Sequence, residues 1–150
     1  MRLHLLPCLI LAVACSSAEK TPAADSPAAV APAPTIMLAD VAGKWAYRAM
    51  GEASDSVLVN AELNATADAT GWTITLPGRP PTAMEVRVDG DSIMSTTGTF
   101  ESVLRKGVQV MTTGVLRMRD GKLVGTTVAH YTTTAADSVT RLRVEATRMP

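Results

Sequence analysis

From residue 37 onward, apolar and polar positions alternate with a period of two, and no long stretch repeats apolar residues at helical spacing. Such alternation marks strands with one face buried. The clearest case is VLRMRDGKLVGTTVAHY, where Asp120-Gly121 suits a tight type I′ turn. That turn sets Arg119 opposite Lys122, Met118 opposite Leu123 and Leu116 opposite Gly125, and brings Val110 to Tyr131. One face then carries Val110, Leu116, Met118, Leu123 and Tyr131, and the other Gln109, Arg117, Lys122 and His130. The segment MEVRVDGDSIM repeats the device at Asp89-Gly90, with Met84, Val86 and Ile93 inward and Glu85 and Arg87 outward. GKWAYRAM, SVLVNAELNA, TGWTITL and SVTRLRVEATR keep the same parity, for about eight strands in all. The stretch STTGTFESVLRKGVQV breaks the pattern and reads either as an interrupted strand or as a longer loop.

Strands this long, joined antiparallel by short turns, must close or leave an edge open to aggregation. The expected fold is therefore all-β, a single antiparallel up-and-down barrel, with a two-sheet sandwich as the rival. The up-and-down order collects the tight turns at Thr66–Gly71, Asp89-Gly90 and Asp120-Gly121 at one end. Trp45 and Trp72 point inward near that end and are expected to plug it, since large aromatics dominate core packing. The looser loops gather at the other end, which would be the mouth. There Tyr47, Val59, Leu76, Met84, Val110 and Tyr131 are candidates to line a pocket for an amphipathic molecule. Arg79, Arg105 and Lys106 near the mouth could draw an anionic head group or could be ordinary loop charges. The same inward residues could instead pack into a filled core, because an eight-stranded barrel is narrow enough to fill itself.

The first residues follow a different plan. Arg2 precedes a run from Leu3 to Val13 that is apolar except for His4 and too short for a permanent membrane span, which is the layout of a secretory signal. Leu11, Ala12, Val13 and Ala14 ahead of Cys15 resemble the lipobox of bacterial lipoproteins. That resemblance implies cleavage after residue 14, acylation of Cys15 and attachment to a membrane by acyl chains, each buried methylene contributing about 0.8 kcal/mol. Ser16 resembles the residue that directs such proteins to the outer membrane. With Cys8 removed in the signal and Cys15 acylated, no disulfide staples the mature chain. Residues 15–36, rich in Ala, Pro and Ser, have little apolar bulk and read as a disordered spacer. Residues 37–150 then form one domain.

Gly43-Lys44-Trp45 resembles the G-x-W signature of lipocalins and related calycin barrels. In that family the tryptophan plugs the closed end and an arginine of the last strand packs over it. The resemblance implies that role for Trp45 and Arg148, whose parity is that of Leu142, Val144 and Ala146. It covers residues 37–150 as an architecture and transfers no ligand.

Composition narrows the chemistry. Fourteen basic and fourteen acidic residues cancel, so no global field favours nucleic acid. Aromatics make up 3% of the chain, too few for stacking platforms. His130 is the lone mature histidine and sits on the outer face, so neither a metal site nor a catalytic base is expected. Gly90-Asp91-Ser92-Ile93 resembles the nucleophile block of GDSL-type hydrolases, but it lies in a hairpin without a following Asp-x-x-His. Asp89 and Asp91 in one tight turn fall short of the oxygens calcium requires. The expectation is a membrane-anchored, non-enzymatic envelope lipoprotein without a cofactor, whose barrel binds a small apolar or amphipathic ligand. The alternative is a filled barrel serving as a protein-interaction or structural module, with Met94, Met111 and Val128 on its exposed surface.

Overall fold

A computed structural model describes residues 35–134 and 136–150. The expected signal peptide, Cys15 and the spacer as far as residue 34 lie outside the described residues. The elements are a short helix α1 (Leu38–Val41) and strands β1 (Gly43–Gly51), β2 (Val57–Ala65), β3 (Thr73–Thr75), β4 (Thr82–Asp89), β5 (Ser92–Thr97), β6 (Phe100–Glu101), β7 (Gln109–Arg119), β8 (Lys122–Tyr131) and β9 (Val139–Arg148). Every pairing is antiparallel, and the ring β1-β2-β3-β4-β5-β7-β8-β9 returns to β1. The closing ladders run from Trp45↔Arg148 to Gly51↔Leu142 and from Ser92↔Arg117 to Thr96↔Thr113. A continuous ring of ladders is a barrel and excludes the sandwich.

The hairpin geometry follows from its turn. Asp120 and Gly121 both have positive φ, 51° and 74°, as a type I′ turn demands. From that turn β7 and β8 pair Arg119↔Lys122, Met118↔Leu123, Leu116↔Gly125 and Val110↔Tyr131, the register the alternation predicts. β3 is shorter than TGWTITL suggested. Pro77 has no N–H to give a ladder, and the pairing with β2 covers only Glu62–Asn64. Trp72 precedes the strand, yet its carbonyl still accepts the Met84 amide at 2.9 Å. The ambiguous stretch is both things at once. β5 ends at Thr97, β6 adds two residues to β7 beyond a break at Gly98-Thr99, and a loop occupies 102–108.

The core has a main and an upper part. The main one packs Val41, Trp45, Leu63, Trp72, Ile93, Leu116, Leu123, Val144 and Ala146 against one another and continues through Tyr47, Ala49 and Leu142. The upper one is smaller: Val110, Ala129 and Tyr131, with Phe100 and Val108 against them. In the wall, a Cβ added to Gly114 would lie 2.8 Å from Ser95 Oγ on neighbouring β5, and one on Gly125 would collide with the Val115 carbonyl of neighbouring β7. Hydrogen at Gly125 lets β7 and β8 approach this closely.

Candidate functional site

The base is sealed. Trp45 and Trp72 are fully buried, and each indole N–H finds a backbone carbonyl, Val41 for one and Asp68 for the other, both at 2.8 Å. The Arg148 guanidinium lies 4.5 Å from the Trp45 ring centroid and donates to the Asp40 and Ala42 carbonyls at 2.8 and 2.6 Å. It thereby satisfies carbonyls at the end of α1 that no helical N–H reaches. Gly43 makes room for this arrangement. Its φ is +133°, and a Cβ there would stand 2.8 Å from Arg148 Nη1. Ile36 completes the floor edge by donating its amide to Gly90 at 3.0 Å. A ligand has no way in from this end.

The upper interior is different. It holds an apolar chamber of about 60 Å³. Tyr47, Val59, Leu76, Val110 and Tyr131 line it, as the alternation places them, and Met84 is not among its lining: it packs against the main core cluster. Phe100, Ser102, Val103 and Leu104 also face the chamber, and the periodic pattern gave no reason to include them. Their signal in the sequence is faint, an apolar Val103-Leu104 pair inside a polar loop.

Those residues belong to a lid. The Ser102 hydroxyl accepts the amides of Leu104 and Arg105, each at 3.0 Å, and Glu101 Oε1 accepts the Gly107 amide at 3.0 Å. Ser102 N and Val108 O meet at 2.8 Å, closing the loop at its neck. The mouth charges hold the lid down. Arg105 pairs with Asp137 at 2.9 Å and stacks over Tyr131, 4.0 Å from the ring centroid. Arg79 donates to the Glu101 carbonyl. Lys106 is exposed at the rim and makes no ion pair among the described residues.

The chamber wall carries hydroxyls. Tyr47 is buried, and that burial pushes its phenol up to about 12 against the opposing influence of Thr127. Thr127 in turn donates to the Thr113 carbonyl at 3.2 Å. Where the β5–β7 ladder ends, Thr97 replaces it with its side chain, accepting the Thr112 amide at 2.9 Å and lying 3.1 Å from the Thr112 hydroxyl.

Outside the chamber the polar groups have structural partners. Asp91 receives Ser92, Arg117 and Arg119 at 2.9, 3.0 and 2.9 Å, and the Ser92 bond first, then the arginines, hold its carboxyl down at about 2. Ser92 therefore serves a β4–β5 turn. His130 lies on the outer face, 3.3 Å from the Thr113 hydroxyl. A concave groove of about 400 Å³ crosses the outer face of β4, β5, β7 and β8, with Met94, Val115 and Val128 along it and Glu85 and Arg87 at one rim. Met111 lies exposed on the same outer face. Among the described residues, no three His, Cys, Asp or Glu side chains converge as a metal site would need. Comparison with known proteins found no matching family, no matching curated protein and no matching solved structure.

Proposed function

We propose that this chain is an exported lipoprotein, held to a bacterial membrane, the outer one, through acylated Cys15, and that its barrel takes a small apolar or amphipathic molecule into the upper chamber. The carrying observation is the chamber itself: an apolar space under a loop tied down mainly by polar contacts. Its volume of about 60 Å³ admits only a few heavy atoms, against roughly 300–1,000 Å³ for drug-sized ligands. Anything larger must lift the lid. An exposed ion pair contributes about 0–1 kcal/mol and a cation–π contact about 0.5–1 kcal/mol, so lifting it costs on the order of 2 kcal/mol. That lowers apparent affinity by about thirtyfold, which a ligand burying several methylenes recovers. Native mass spectrometry of the full chain, purified in mild detergent, tests the reading. A small molecule released on denaturation is expected; a bare chain that takes up no small apolar probe would overturn it.

A filled barrel working as an interaction module is the second reading, and one observation favours it. The outer groove, about 400 Å³, is larger than the interior space and carries Met94 and Val128. Crosslinking in the native envelope separates the two, since the interaction reading requires a specific partner at that face.

A further inference from the structure

We infer that the ligand carries a carboxylate, and that this group takes the place of Asp137 at Arg105 when the lid closes over the apolar tail. This rests on the proposed ligand-binding function and names the chemistry of the ligand's polar end.

Arg105 stands where the chamber meets solvent. It belongs to the lid, and its guanidinium lies 4.0 Å from the ring centroid of Tyr131, a residue of the chamber lining. Its side chain is 26% exposed, whereas that of Asp137, its partner at 2.9 Å, is 70% exposed. The cation is held at the rim, and its counter-ion stands largely in water, which solvates it once released. Asp137 is therefore the member of the pair that is cheap to displace. Lifting the lid parts the two, and a neutral ligand that keeps the loop raised leaves Arg105 without a counter-ion. A carboxylate on the ligand restores a charge-assisted bond at the same guanidinium, whose planar fork already holds a carboxylate in the closed state. The neighbouring groups agree in sign. Lys106 follows in the chain, exposed and without an ion pair among the described residues. Glu101, the acid just before the loop, has one carboxylate oxygen on the Gly107 amide. Beneath the loop, Ser102 is buried and lines the chamber. Its hydroxyl accepts the Leu104 and Arg105 amides and has only a proton left to offer. The lid end of the chamber thus offers donors, which an anionic oxygen accepts and a hydrocarbon end does not.

Chemical-shift titration of the full chain with hexanoate and with hexan-1-ol, followed at the Leu104, Arg105 and Ala129 amides, tests this. The two probes share a tail, so the ratio of their affinities reads the head group, and a change in lid stability common to both cancels. The preference for hexanoate is expected to fall by about threefold or more in Arg105→Ala. In Asp137→Asn, which removes the ligand's competitor, it is expected to rise by about twofold. Asp137→Asn alters only an exposed side chain, so it keeps the test in force if Arg105→Ala disturbs the loop. A ratio that Arg105→Ala leaves unchanged, or that Asp137→Asn fails to raise, overturns the inference, while binding of either probe leaves the binding function standing. Failure of both probes to bind overturns both.

Discussion

At the scale of single residues, the base shows how Gly43 and Trp45 work as a unit with a distant arginine. The tryptophan fills the end, Arg148 covers it, and only glycine leaves space for the guanidinium at a φ of +133°. Gly43→Ala is therefore expected to destabilise the domain by about 1–3 kcal/mol through strain and displacement of Arg148. Urea unfolding followed by tryptophan emission measures it, and a change below about 0.5 kcal/mol would contradict this role. In the chamber, alternation fixed which way each side chain points but not how deep it sits. Tyr47, Val59, Leu76, Val110 and Tyr131 were legible for that reason. Met84 points inward too and pairs with Thr97 at the mouth end of β5, yet it packs against the main core cluster and not on the chamber. Phe100 and Leu104 escaped the reading because a two-residue strand and the loop after it are too short to show a period.

Elements add what residues lack, a seam and a cover. The β5–β7 ladder closes the ring, and Asp91 braces its lower end by gripping Arg117 and Arg119. The folded carboxyl is held at about 2, below its ordinary value of 3.8. Its contribution is thus complete above the ordinary value and is lost as pH falls toward 2. Asp91→Asn should remove that share of the acid sensitivity, so its stability curve between pH 4 and 2 runs flatter than the parent's; parallel curves would show that the brace contributes nothing. The lid is the other device. Arg105→Ala deletes an ion pair and a stacking contact, and exchange of the Leu104 and Arg105 amides should quicken by about five- to tenfold. Unchanged exchange would mean that Arg105 does not hold the loop. The hairpins were readable because Asp-Gly turns fix register. The lid was not, since Gly98 interrupts the strand and its cover is made by contacts remote in sequence. α1, four residues long, is too short to display a helical period.

The whole molecule is a barrel with unequal ends. Its base is sealed by two tryptophans, an arginine and a short helix, and its mouth by a loop over a small apolar space. Closure itself was readable from strand count and parity, because eight amphipathic strands have few other ways to hide both edges. The size of the chamber was not, since it depends on how side chains from opposite walls interdigitate. The most direct measurement is a crystal structure of the domain-bearing chain under xenon pressure, because dry apolar cavities take up this atom. A xenon peak among Tyr47, Val59, Val110 and Tyr131 is expected, beneath an ordered 102–108 loop. An interior closed by those same side chains with no bound atom would contradict the chamber and the ligand assigned to it.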